Sequence, residues 1–252
     1  MIEKTDQGGI VLLRLTHGKV SALDLEFCLA LERELAAAQE GGARAVVLTG
    51  TGRAFSAGVD LFRVVNGGAA YIDDFLDALD RAFSKLFTLP VPVIAAVNGH
   101  AIAGGCVLAC ACDHRVMAAG DGRIGVPELA VGVPFPTAAL ETMRFALPAP
   151  SFQRAVYLCE TFAPDEALRL GIVDEVVDPS RLAERSLEIA QQLGSIPPET
   201  FELAKRTMRA PALGNIHEAK RTTEPEIAAR WKHPETLQAI GDYLERTLGR
   251  RS

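Results

Sequence analysis

This sequence is poor in the features that would mark it for a nucleic acid, a membrane or a metal. Basic residues are the minority, 26 Lys and Arg against 32 Asp and Glu. The resulting net charge of -6 argues against general binding to nucleic acid or to anionic membrane surfaces. No apolar run reaches the length of a membrane span. The opening Met1-Ile2-Glu3-Lys4-Thr5-Asp6 lacks a signal-peptide pattern, so a cytoplasmic location is expected. The cysteines number five, an odd count, and Cys106, Cys110 and Cys112 cluster in one apolar stretch. Cys106 and Cys110 would share a helix face, but the paired Cys-x-x-Cys spacing of a zinc site is missing. Reduced, buried thiols acting as small hydrophobes are therefore expected, with no metal. There is no internal repeat of fixed period and no linker between independent domains. What is present is core material: 48% of 252 residues are hydrophobic, enough for one large domain or two small ones.

The apolar segments predict strands alternating with helices. Strands are expected over 9–15, 45–48, 92–97, 113–118 and 171–177. A first helix should begin at Asp24 or Ser21 as N-cap and stop before Gly41-Gly42. Further helices are expected over 71–87, 106–112, 151–159, 164–170, 182–193, 198–208, 215–230 and 234–248. Residues 63–72, rich in glycine and alanine, read as a mobile stretch before the second helix. In that helix Phe75, Leu79, Phe83, Leu86 and Phe87 share a side, which suits core packing.

Two glycine-containing turns stand out. The first, Ala54-Phe55-Ser56-Ala57-Gly58-Val59-Asp60-Leu61, follows the strand at 45–48. The second, Val97-Asn98-Gly99-His100-Ala101-Ile102-Ala103-Gly104-Gly105-Cys106, joins the strand at 92–97 to an apolar helix and is followed by Cys112-Asp113. A glycine pair opening a helix leaves N–H groups that favour negative charge. By itself such a pair is equally a tight turn with no ligand; two turns of similar build point further. Downstream, Glu128 lies between Val126-Pro127 and Leu129-Ala130-Val131, a carboxylate in apolar company. It is either an exposed turn residue or a buried one, and burial would raise its pKa and make it a useful base near neutrality.

Together the two turns resemble the paired oxyanion-hole motifs of the crotonase (enoyl-CoA hydratase/isomerase) superfamily. The resemblance runs from about Lys19 to the C-terminus and includes Ala167-x-x-x-Gly171-Ile172-Val173-Asp174. It implies an α/β fold, a ClpP-like spiral of ββα units over 1–190 followed by a helical trimerisation region over 191–252. It implies a coenzyme A thioester as substrate, no tightly bound cofactor, and a homotrimer or dimer of trimers. The main-chain N–H groups of Val59 and Gly104 would stabilise the thioester oxyanion, and Glu128 would be the acid/base. Lys19, Val20, Ser21 and Ala22 match the entry turn that binds coenzyme A, although Lys19 alone reads as a surface lysine. Ala57, Asp60, Leu61, Gly105 and Phe135 fall in the matching substrate-binding segments. Trp231 and Arg246 are candidates for pocket and phosphate contacts, their other readings being an interface aromatic and a solvated arginine.

Hydratases of the superfamily use two glutamates. The first sits in Gly-Gly-Cys-Glu, where this chain has Gly104-Gly105-Cys106-Val107. Valine can neither orient water nor carry a proton. One base still suffices to shift a double bond, and the one-glutamate pattern resembles the mitochondrial-type Δ3,Δ2-enoyl-CoA isomerases. The segments from Val20 to Phe27 and from Phe55 to Leu61, and Val133-Pro134-Phe135, agree with that branch. Pro127 and the entry loop Gly99-His100-Ala101-Ile102 depart from it and leave the acyl chain length open. Weak hydration, decarboxylation, thioester hydrolysis or acyl-CoA binding without turnover remain the alternatives.

Overall fold

A computed structural model describes residues 1–248. In chain order its elements are β1 (Ile2–Gln7), β2 (Ile10–Leu15), α1 (Leu25–Glu40), β3 (Ala45–Thr49), β4 (Ala54–Ser56), α2 (Leu61–Thr88), β5 (Val93–Val97), β6 (His100–Ile102), α3 (Gly104–Ala111), β7 (His114–Ala118) and β8 (Ile124–Gly125). There follow α4 (Glu128–Val131), α5 (Thr137–Ala146), α6 (Ala149–Tyr157), β9 (Thr161–Phe162), α7 (Pro164–Arg169), β10 (Glu175–Val177), α8 (Leu182–Gly194), α9 (Pro198–Thr222), α10 (Glu224–Trp231) and α11 (Pro234–Leu248).

Three successive units share one plan: a long strand, a short strand, a helix. These are β3-β4-α2, β5-β6-α3 and β7-β8-α4. The long strands join a six-stranded sheet of order β1-β2-β3-β5-β7-β10, parallel apart from the β1–β2 hairpin. The short strands stack into a second sheet, β4-β6-β8-β9, whose last pair is antiparallel. Asn98 fastens consecutive units: its Oδ1 accepts from the Gly50 N–H at 2.8 Å, and its Nδ2 donates to the Gly52 and Ala54 carbonyls at 3.1 and 3.2 Å. Gly99 is obligatory there, because a Cβ would lie 2.1 Å from the Arg53 carbonyl oxygen.

The large sheet is covered on both faces, which is why its strands read as unbroken apolar runs. Val46, Leu48, Ala95 and Val97 face the core built with α1, α2 and α3, whereas Ala45, Val47, Ile94 and Ala96 face Leu182, Ile189 and Ala190 of α8. Asp24 caps α1 as expected, its Oδ1 accepting from the Phe27 N–H at 2.8 Å.

Three expectations are corrected. Residues 63–72 are helical: α2 begins at Leu61 behind the Asp60 cap and passes a single non-helical residue, Gly68 (φ 73°). The break expected between 208 and 215 is absent, and α9 runs through Pro211. Pro211 lies on the exposed face, while Lys205, Arg209, Ala212, Ile216 and Ala219 form a buried seam that carries the helix past it. Only Glu175–Val177 of the strand expected over 171–177 pairs with β7. The polar, exposed β1 and the two- and three-residue strands of the second sheet carry too little alternation to be seen in the sequence. Of the C-terminal region 191–252, residues 249–252 lie outside the described residues. The α9 helix is bound to the core by an ion network: Asp113, itself half-buried, accepts from Lys205 Nζ and from an Arg209 guanidinium nitrogen, each at 2.7 Å, and both cationic side chains are buried.

Candidate active site

The turns that follow the short strands meet around one apolar cavity of about 140 Å³. The first turn, after β4, is held from behind. Ser56 Oγ donates to the Ser21 carbonyl at 2.7 Å, the Ala57 N–H donates to the Val20 carbonyl at 3.0 Å, and Leu23 brackets Val59 through Leu23 N–H to Gly58 O (2.8 Å) and Asp60 N–H to Leu23 O (2.9 Å). The second turn, after β6, presses directly on it. A Cβ on Gly58 (φ 81°) would fall 2.6 Å from the Ile102 carbonyl oxygen and from Ala103 Cβ, and one on Gly105 would fall 2.2 Å from the Ser56 carbonyl oxygen. Close approach of the two backbones is what these glycines make possible.

Between them two donors are left free. Neither the Val59 N–H nor the Gly104 N–H meets an acceptor among the described residues, and both residues line the cavity. Gly104 opens α3, so the positive end of that helix faces the same space. The preceding Ala103 is held at φ 53°, ψ -126°, a conformation that costs a non-glycine residue about 1–3 kcal/mol. It is pinned there: its N–H donates to the Gly125 carbonyl at 2.8 Å, and its carbonyl accepts from Cys106 and Val107 at 2.8 and 3.2 Å. Backbone strain is spent on aiming the Gly104 N–H.

The third turn, after β8, supplies Glu128 as the first residue of α4. The residue as a whole is half-buried, but its carboxyl Oε2 is shielded from solvent and has no hydrogen-bond partner. Burial is the dominant influence on this group and pushes its pKa up to about 8, against the lowering effect of a main-chain hydrogen bond. Glu128 is the one carboxylate among the described residues that line the cavity; Val107, 1% exposed, also lines it. The remaining wall is apolar, with Leu79, Phe83, Phe135, Ala139, Trp231 and Tyr243 prominent.

Of the other expected residues, Ala57, Leu61, Phe135 and Trp231 line the cavity. Trp231 is 2% exposed within this chain and is therefore a wall of its pocket, not an exposed aromatic. Gly105 sits behind the cavity on Ser56, and Asp60 caps α2 through the Arg63 N–H at 3.1 Å. Val20, Ser21 and Ala22 back the first turn without lining the cavity. Lys19 is exposed, and Arg246, also exposed, donates to the Asp242 carbonyl of its own helix at 3.2 Å; neither reaches the cavity. Sequence reasoning missed Ala103, Ala139 and Tyr243. Ala139 and Tyr243 lie on helices whose pattern signals burial alone, and an alanine gives no sign of a positive φ. Cys106 and Cys110 are buried in α3, and no metal-binding cluster exists among the described residues.

This construction defines a class. Residues 5–248 match the family described as enoyl-CoA hydratase/isomerase, and the chain belongs to that family, with the crotonase fold. It superposes on the crystal structure of human mitochondrial delta3-delta2-enoyl-CoA isomerase with a TM-score of 0.94, at 26% identity, covering 100% of this chain and 99% of that one. Rat mitochondrial enoyl-CoA delta isomerase 1 is 26% identical over 249 residues, 98% of this chain and 86% of that protein. A crystal structure from Mycobacterium tuberculosis, described as a probable enoyl-CoA hydratase, matches with a TM-score of 0.84 at 33% identity, covering 94% of this chain and 98% of that one. Similarity thus extends to proteins named for both reactions, and the choice between them rests on the cavity.

Proposed function

We propose that this protein is a Δ3,Δ2-enoyl-CoA isomerase of fatty-acid β-oxidation, acting on a coenzyme A thioester with no tightly bound cofactor. The observation that carries this reading is the single carboxylate among the described residues that line the cavity: Glu128 faces a site in which Val107 stands where hydration would need a second acid. In the reaction, the Glu128 carboxylate takes a proton from C2 of a 3-enoyl-CoA. The C–H electron pair moves into the thioester and places negative charge on its oxygen. The N–H groups of Val59 and Gly104 stabilise that charge; one such donor is typically worth about 2.7–4 kcal/mol. As the dienolate collapses, the C3–C4 double bond takes the proton from Glu128 at C4, and a C2–C3 double bond remains. The carboxylate is regenerated, so one base completes the cycle.

The raised pKa suits both halves of this exchange, since a group poised near the working pH both accepts and returns a proton. The apolar wall excludes water, which would otherwise intercept the enolate. Val20, Ser21 and Ala22, beside the first turn, are the proposed main-chain contacts to the coenzyme A. The helices from residue 191 onward are the proposed subunit contact of a trimer or a dimer of trimers. The test is Glu128→Gln. Isomerisation of 3-enoyl-CoA should disappear while binding of a saturated acyl-CoA persists. Retained isomerisation in the variant refutes the assignment, and binding without turnover in the wild type marks a non-catalytic acyl-CoA-binding protein.

A further inference from the structure

Nothing on Glu128's own element explains how its carboxyl is held. α4 is a four-residue helix, its N-cap Pro127 makes no side-chain capping bond, and Oε2 has no partner. A single turn of helix is not stable by itself. α4 is anchored upstream by β8 and packs against α6 and α11, and the segment after it adds a further constraint. Gly132 ends α4 in the left-handed conformation (φ 85°), and the Val133 N–H returns to the Glu128 carbonyl at 3.1 Å. The chain then runs through Pro134, Phe135 and Pro136 into α5.

That connecting segment is gripped at two points by one distant helix. At the first residue of α10, Glu224 Oε2 accepts from the Thr137 N–H at 3.1 Å. At the last residue of α10, Trp231 Nε1–H donates to the Pro134 carbonyl at 2.9 Å. The indole is fixed in turn, packed edge-on to Phe75 of α2 with ring centroids 6.5 Å apart. Both bonds join residues far apart in sequence, and neither is required by the local secondary structure of α5. We propose that α10 is a two-point clamp and that Trp231 and Glu224 are positioning residues for Glu128, acting through the 132–137 connection.

The inference deepens the isomerase reading and rests on it for its consequence, but its structural core does not depend on turnover. Trp231→Phe keeps most of the ring and removes the donor; Glu224→Ala removes the acceptor. Each variant should lower kcat about tenfold, the order of one hydrogen bond. Glu224 lies outside the cavity lining, so Glu224→Ala should leave KM for the acyl-CoA little changed, whereas Trp231→Phe also alters the cavity wall and is read by kcat and by the Glu128 titration. The two losses should be less than multiplicative when combined, because both act on one segment. A direct readout is the titration of Glu128 by NMR of side-chain carboxyl-labelled protein, with Glu128→Gln supplying the assignment. Loosening the segment admits water to the carboxyl, so the pKa should move toward the ordinary glutamate range in both variants. Trp231→His, which restores an N–H donor, should recover part of the shift; if Trp231→Phe does not fold, Glu224→Ala carries the test. An unchanged Glu128 titration in the folded variants overturns the clamp. If the titration moves but the wild type isomerises no 3-enoyl-CoA, the clamp stands and the isomerase reading falls.

Discussion

Glu128→Gln makes a prediction about stability that is separate from catalysis. Burial moves the Glu128 carboxyl from its ordinary 4.5 to about 8. By linkage, holding it ionised in the cavity then weakens the fold by about 5 kcal/mol relative to its protonated form. The sign follows from proton counting. Between pH 4.5 and about 8 the folded chain keeps a proton that the unfolded chain has released. Stability therefore falls as pH rises through that window. The penalty is absent below the lower value and complete above the upper one. Glutamine has nearly the same shape and cannot ionise. The stability of Glu128→Gln relative to wild type should thus grow with pH, from a small difference at about pH 5 to an advantage of several kcal/mol at about pH 9. Urea unfolding of both proteins at these two pH values, at one fixed protein concentration, measures it. Comparing the two proteins cancels every other titrating group. An equal difference at both pH values would show that the carboxyl is not desolvated, and the argument for a tuned base would fail.

Other consequences are open to measurement. Val107→Glu places a second carboxylate on the cavity wall, on the same helix as the Gly104 donor; it should create 2-enoyl-CoA hydration above the wild-type level, read as loss of the conjugated thioester absorbance. Asp113→Asn removes the charge that Lys205 and Arg209 share in the interior. Leaving buried cations without their partner should cost about 3–5 kcal/mol in denaturant unfolding. Cys28, Cys106, Cys110 and Cys112 are buried and Cys159 is partly exposed, and burial pushes the Cys112 thiol up to about 12. A thiol reagent should therefore modify the native protein at Cys159 first, and the other four only on unfolding, as mass spectrometry of labelled peptides would show.

The parts of this molecule that were legible in the sequence are those where burial and backbone constraint act together. The runs from Ala45 to Leu48 and from Val93 to Val97 are apolar throughout because both sheet faces are covered. Gly58 and Gly105 announced the two turns because a side chain at either would collide with the facing backbone. Glu128 stood out as a charge among apolar neighbours, and its burial is what the cavity confirms. What stayed hidden depends on contacts between distant segments. The continuity of α2 past Gly68 and of α9 past Pro211 comes from tertiary seams that override local propensity. The bonds from Glu224 and Trp231 to the 132–137 segment span 87 and 97 residues, and no local pattern encodes them. Arg246 shows the converse: a suggestive charge near the C-terminus that the structure spends on its own helix.

The most direct test of the central claim runs two reactions side by side on the wild-type protein: conversion of cis- and trans-3-enoyl-CoA to 2-enoyl-CoA, and hydration of 2-enoyl-CoA, over a range of chain lengths. With Glu128 as the one carboxylate among the described residues that line the cavity and Val107 also on its wall, isomerisation should be rapid and hydration slight. Hydration as fast as isomerisation would contradict the single-base account.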